Sequence, residues 1–164
     1  MKKTLETVIG DLLRDRGLSL ATAESCTGGR IADRLTDIPG SSDYFRGSIV
    51  AYANSVKIDT LGVSGETLER YGAVSRETAL EMARGARTKL ETDVAVSVTG
   101  IAGPGGGLPD KPVGTTWIGL AAADGEWTRL YTWTGSRAQN KAASADAALE
   151  LVRDYLSGDL RQAE

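Results

Sequence analysis

Histidine is absent from this chain of 164 residues, and cysteine and phenylalanine occur once each. The first absence constrains the chemistry most. Without an imidazole, Ser-His-Asp and Cys-His mechanisms are impossible, and zinc sites of the Cys/His kinds go with them. Cys26 has no partner for an internal disulfide, which suits a reducing cytoplasm. No apolar run approaches the roughly 20 residues that span a bilayer, and Glu6 and Asp11 interrupt what would have to be the apolar core of a signal peptide. Basic residues do not exceed acidic ones: 19 stand against 22, for a formal charge of -3, so the cationic surplus behind nonspecific nucleic-acid binding is missing. No clustered Asp-x-Asp pattern advertises magnesium. The expectation is a cytoplasmic protein with no metal, no cofactor, no nucleic-acid partner and no membrane association.

The chain has the length of one ordinary domain and shows no internal repeat or linker, so a single domain over 1–164 is expected. Leu5, Val8, Ile9, Leu12 and Leu13 have helical spacing, with Gly17 where a helix would end. Leu18 to Ala23 reads as a strand, followed by a tight loop and a helix carrying Ile31, Ala32 and Leu35. Pro39 and Gly40 break that helix into a loop holding Ser41 and Ser42. Gly47 to Ala53 is strand-like, and Asn54 can cap the helix that follows. Ser64 to Tyr71 and the segment after Ser75 read as two further helices, Asp93 to Val98 as a strand. Val113 to Ala123 and Trp127 to Trp133 form a hairpin through Asp124-Gly125, and Arg137 to Leu156 is a closing helix, with a frayed tail after Gly158. Strands interleaved with helices, plus one hairpin, predict a three-layer α/β/α sandwich on a mixed, mainly parallel sheet that includes one antiparallel hairpin.

Three segments could carry chemistry. Thr22 to Gly29 lies between a strand and a helix, where free N–H groups favour an anion; the alternative is a helix cap made by Ser25 or Thr27. Thr99 to Gly107 leaves the carboxyl end of a strand, the usual ligand position in α/β sheets, and its alternative is a crossover that needs glycine for geometry. Neither segment is a Walker loop or a dinucleotide fingerprint. Arg137, at the start of the last helix, offers a planar fork suited to phosphate, with Lys141 one turn on.

The third segment, Gly40 to Lys57, gathers serines, tyrosines and a lysine in one short window. Lys57 could act as a base if burial lowers its pKa, with Ser42 as nucleophile and Tyr52 relaying the proton or positioning the serine. Ser-Lys pairs are an established alternative to the histidine triad. The plainer reading makes Lys57 a solvated helix residue and Ser42 a turn residue.

Six ordered motifs together resemble one family: Ala23-Glu24-Ser25-Cys26-Thr27-Gly28-Gly29, Pro39-Gly40-Ser41-Ser42, Tyr52-Ala53-Asn54, Gly72-Ala73-Val74-Ser75, Val98-Thr99-Gly100-Ile101-Ala102-Gly103-Pro104 and Lys111-Pro112-Val113-Gly114-Thr115. The family is the CinA C-terminal domain, or PncC-type nicotinamide-nucleotide amidohydrolases, and the likeness runs from about Leu5 to Leu156. The resemblance implies hydrolysis of the carboxamide of nicotinamide mononucleotide to nicotinic acid mononucleotide and ammonia, in a cytoplasmic homo-oligomer, often a dimer. It implies Ser42 as nucleophile, Tyr52 as assisting phenol and Lys57 as general base, with backbone N–H groups near Ser41 and Ser42 as an oxyanion hole. It also implies nucleotide contacts from Ser25, Thr27, Gly28, Gly29, Thr99, Gly100, Ala102, Gly103 and Arg137. Lys141 stands where relatives tend to carry a second arginine, and lysine cannot grip phosphate bidentately. The competing class is a nucleotide-binding or regulatory module without catalysis.

Overall fold

The computed structural model describes residues 1–160, so part of the tail expected to fray, 161–164, lies outside the described residues. The described elements run α1 (Leu5–Arg16), β1 (Leu20–Glu24), α2 (Arg30–Thr36), a 3-10 turn (Ser41–Asp43), β2 (Phe45–Val50), α3 (Asn54–Asp59), α4 (Gly65–Tyr71), α5 (Arg76–Lys89), β3 (Val94–Gly100), β4 (Thr115–Ala122), β5 (Gly125–Thr132) and α6 (Arg137–Leu156). Among them no helix is long and apolar enough to cross a membrane.

The sheet has the order β2-β1-β3-β4-β5. β1 pairs in parallel with both β2 and β3, whereas β3-β4 and β4-β5 are antiparallel. β4 alone therefore runs against the other strands, giving the expected mixed sheet. The chain leaves β1 for β2 on one side and later crosses back over β1 to β3 on the other. Right-handed crossovers in opposite directions put the intervening helices on opposite faces of the sheet. Two cores result. One face packs Ile9, Leu13, Ile31, Leu35, Leu149 and Val152 of α1, α2 and α6 against Leu20, Val94, Val96, Val98, Ile118 and Leu120. The other packs Met82 and Ala86 of α5 against Ala21, Ala23 and Ala95, with Ala51, Leu61 and Val63 closing its edge.

The two faces differ in residue size, and that difference sets the helix distances. On β3, Val94, Val96 and Val98 face α6, while Ala95, Ser97 and Thr99 face the other way, as the period of 2 requires. Small side chains let α5 approach closely: Ser97 Oγ reaches Ala79 O at 2.5 Å, and Thr99 Oγ1 reaches Ala73 O at 2.7 Å just before the helix.

Local signals explain the element ends. Thr4 caps α1 by accepting from Thr7 N, and Gly17, with φ of 64°, closes it through bonds to Arg14 O and Leu13 O. Ser75 caps α5 as expected, accepting from Thr78 N, and Ser136 with Gln139 forms a capping box at the start of α6. Two expectations shift by one residue. Ala53, not Asn54, is the cap residue of α3, and Asn54 is its first helical residue. The hairpin turn is Ala123-Asp124, because Ala122 pairs with Gly125. Gly125 is not at positive φ; it is a strand residue over which the Trp127 ring lies, and a methyl there would meet that ring at 2.8 Å.

Gly85 gives a test of the close α5 packing. Replacing a mid-helix glycine by alanine ordinarily gains roughly 1 kcal/mol of helix propensity, but a Cβ on Gly85 would overlap the Leu61 carbonyl. Gly85→Ala is expected to destabilise by about 1–3 kcal/mol. A denaturant titration showing an increased midpoint would contradict the packing.

Candidate active site

Three strand ends meet at one edge of the sheet. Ser25 directly follows β1, Ala51 and Tyr52 directly follow β2, and Thr99 and Gly100 end β3. These are the carboxyl ends of parallel strands at the point where the connections diverge, the position at which open α/β sheets bind ligands. The junction is pinned on both sides, since Ser25 N donates to Val98 O at 3.0 Å and Ala51 N donates to Glu24 O at 2.8 Å.

Lys57 points from α3 into this junction and is 1% exposed. Its Nζ lies 3.0 Å from Ser25 Oγ, 2.9 Å from Ala51 O and 3.2 Å from Tyr52 O. No ion pair involves it among the described residues. Burial without a countercharge disfavours the ammonium and pushes the Lys57 pKa below the usual lysine value. Nζ thus has three oxygen partners. In the neutral form its two hydrogens satisfy the two carbonyls, and its lone pair faces Ser25, whose hydroxyl can then donate to it. Next along the chain, burial pushes the Cys26 thiol up to about 11, so it remains protonated near neutral pH.

The expected pairing of Ser42 with Lys57 does not form. Ser42 is exposed in the 3-10 turn before β2, whereas Lys57 follows the other end of that strand. Six strand residues separate the two ends, on the order of 20 Å at about 3.3 Å per residue. The N–H of Ser41 is likewise engaged, by Ile38 O at 3.1 Å, and lies at the wrong end of the sheet to form an oxyanion hole for this site. The phenol of Tyr52 is also turned away from the amine: its hydroxyl accepts from Arg137 Nη2 at 3.2 Å, and it is the backbone carbonyl of Tyr52 that meets Lys57.

A cleft of about 280 Å³ opens over the Ser25–Lys57 pair. It brings together Ser25, Tyr52, Lys57, Thr99, Gly100, Ala102, Gly103 and Arg137 of the expected residues, and adds Cys26, Asn54, Val74 and the glycines 105 and 106. Thr99 offers little hydrogen-bonding capacity as a donor, since its hydroxyl is committed to Ala73 O. Arg137 closes one rim, Nη1 donating to Gly103 O at 2.9 Å and Nη2 to Tyr52. Buried Asn140, which the sequence reading passed over, holds the same wall by donating to Ala102 O at 3.0 Å. Among the described residues no carboxylate lines this cleft, while the Arg137 guanidinium does, so its rim favours an anionic ligand.

Thr27, Gly28 and Gly29 do not line the cleft. The anion position at the start of α2 is already filled from within, because the buried Glu24 carboxylate accepts from Ile31 N at 2.9 Å, Ala32 N at 3.0 Å and Thr27 Oγ1 at 2.7 Å. Neither Ser25 nor Thr27 is the helix cap; Gly29 holds that position, and the Glu24 side chain accepts from the first helical N–H groups from the end of β1. A larger open groove of about 510 Å³ lies between Leu61 and α5, but its Arg84 is paired with Glu126 and its Glu81 with Ser64 N.

The fold and site define a three-layer α/β/α domain with a serine hydroxyl and a buried lysine amine in contact at the carboxyl ends of adjacent parallel strands. Comparison makes the relationship specific: the family described as CinA C-terminal domain matches residues 2–156, and the chain belongs to it. A CinA-like protein of Salinibacter ruber is 53% identical over 154 residues, covering 94% of this chain and 37% of that protein. One from Chloroherpeton thalassium is 54% identical over 157 residues, covering 93% and 37%. The chain thus spans little more than a third of the length of these relatives. Among solved structures, the competence/damage inducible protein CihA from Agrobacterium tumefaciens is 41% identical with a TM-score of 0.87, over 96% of this chain and 99% of that one. A CinA superfamily protein from Klebsiella pneumoniae is 31% identical with a TM-score of 0.90, over 94% and 96%.

The lowered Lys57 pKa has a measurable linkage. Between the folded value and the ordinary 10.5 of the unfolded chain, the unfolded state binds more protons, so stability rises with pH across that window. Unfolding free energies of wild type and Lys57→Met, measured as a function of pH, should differ by this rising component. Parallel curves would mean that Lys57 titrates normally in the folded protein.

Proposed function

We propose that this domain hydrolyses the carboxamide of nicotinamide mononucleotide, giving nicotinic acid mononucleotide and ammonia, with Ser25 as nucleophile and Lys57 as general base. The observation that carries the reading is the 3.0 Å approach of Lys57 Nζ to Ser25 Oγ by an amine with no countercharge. The substrate class comes from the family resemblance, and the cationic cleft is consistent with a nucleotide bearing phosphate.

In the acylation step Ser25 Oγ attacks the amide carbon while Lys57 takes the hydroxyl proton. The tetrahedral intermediate collapses as Lys57 returns that proton to the departing nitrogen, which leaves as ammonia, and an ester to Ser25 remains. Water then attacks the ester, giving its proton to Lys57, which passes it to Ser25 Oγ as the ester C–O bond breaks, so that the carboxylic acid is released and Ser25 and neutral Lys57 are restored. Cys26 follows the nucleophile and lines the cleft, and its N–H donates to no backbone carbonyl among the described residues, so it is the oxyanion donor in this scheme. Arg137 and Tyr52 act at the rim, on the anionic end of the substrate. Assembly into a homo-oligomer, often a dimer, and a cytoplasmic setting accompany the proposal on the strength of the family resemblance.

Ammonia release from nicotinamide mononucleotide by purified protein is the test. Ser25→Ala and Lys57→Met should each lower kcat at least roughly 10³-fold with folding intact, and Ser42→Ala should leave it within about twofold of wild type. Saturable nucleotide binding without turnover in wild type would instead favour a non-catalytic binding module.

A further inference from the structure

Glu24 is fully buried, and no cation pairs with it among the described residues. Five donors surround its carboxylate. Oε1 accepts from Thr27 Oγ1 at 2.7 Å and Ile31 N at 2.9 Å. Oε2 accepts from Ala32 N at 3.0 Å, Ser48 Oγ at 3.2 Å and, longer, Thr22 Oγ1 at 3.4 Å. A buried carboxylate is tolerable only when so satisfied, and the start of α2 adds favourable N–H groups. A helix cap alone would need one or two of these bonds. This carboxylate also reaches across to β2 through Ser48 and forward into the 25–29 turn through Thr27.

Strand alternation places this anchor back to back with the proposed nucleophile. Leu20 packs on the α6 side of the sheet and Ala21 and Ala23 on the α5 side, so Glu24 points to the first side and Ser25 to the second, towards Lys57. The two residues share one peptide unit. Whatever fixes Glu24 relative to α2 and β2 fixes the direction in which Ser25 leaves the strand.

We infer that Glu24 is a positioning residue for the reaction, holding the Ser25 hydroxyl against Lys57 by locking the turn after β1 to α2 and β2. The inference rests on Ser25 being the nucleophile. Glutamine keeps the size of the side chain but turns one oxygen into an NH₂. In either orientation that NH₂ faces a backbone N–H that cannot rotate, of Ile31 or of Ala32, so the turn must shift. A displacement of about 1 Å can cost on the order of 10²-fold in rate.

The experiment compares Glu24→Gln, Thr27→Val and Ser25→Ala on the full chain. Thermal unfolding, kcat and KM for amide hydrolysis, and the rate of covalent labelling of Ser25 by a serine-directed fluorophosphonate are measured for each. Glu24→Gln should remain folded at the assay temperature, lose on the order of 10²-fold in both kcat and labelling rate, and keep KM within about threefold. Thr27→Val, which removes one bond and leaves the carboxylate, should fold and show the same pattern more weakly. Wild-type kcat and labelling in folded Glu24→Gln would overturn the inference. Should Glu24→Gln fail to fold, Thr27→Val decides: a lowered labelling rate with unchanged KM supports positioning, and wild-type values overturn it. Full activity of Ser25→Ala would instead remove the functional reading on which the inference stands.

Discussion

A lysine amine buried without a countercharge is the constraint from which the site takes its form. An ammonium in that place would be costly to desolvate, and the surroundings supply no carboxylate to offset it. What they supply is two carbonyls at the end of β2 and one hydroxyl at the end of β1, three hydrogen-bond partners for the amine. The strand ends cannot separate, because Ala51 N is bonded to Glu24 O and Ser25 N to Val98 O. In a chain without histidine, the sheet architecture thus places a lysine where its charged form is disfavoured.

The rest of the fold protects that placement. Small residues on one sheet face let α5 approach closely, and the α3–α4 segment closes the remaining edge through Leu61 and Val63. Lys57 is buried among these elements because its stem lies along that face and its amine reaches only the strand ends. On the opposite face larger side chains hold α1, α2 and α6 off the sheet, leaving room beneath α2 for the Glu24 carboxylate. Lys57 and Glu24 are thereby kept on different sides of β1, and no salt bridge joins them among the described residues.

Most of the architecture was legible from periodicity and punctuation. The closing helix runs from Arg137 to Leu156 as its spacing indicates, and Ser75 caps α5. The hairpin slipped by one residue because Gly125 serves ring packing and not a left-handed turn. The site was half legible. Lys57, Tyr52, Arg137 and the Thr99–Gly103 wall were named, but the serine was sought within the same sequence window. In a parallel sheet, neighbours in sequence across a strand lie at opposite ends of the fold, while residues that follow adjacent strands meet. Ser25 after β1 and Lys57 after β2 carry that signal. An acidic residue ending a strand that reads Leu-Ala-Thr-Ala is a second signal, since nothing apolar explains it.

The cleft opposes the charge of the chain as a whole. The protein carries a formal charge of -3, yet the surface over Ser25 presents Arg137 with no carboxylate among its described lining residues. A concave site of one sign in a low-dielectric wall concentrates its field, so a local excess can attract an anion despite unfavourable net charge. The oxygens of the buried Glu24 are engaged with α2, Thr27 and β2 on the far face. Arg137 spends one nitrogen on the Gly103 carbonyl and one on the Tyr52 phenol, both neutral acceptors. An anion entering the cleft offers it a charge-assisted bond roughly twice as strong as either. No internal ion pair among the described residues competes for the guanidinium.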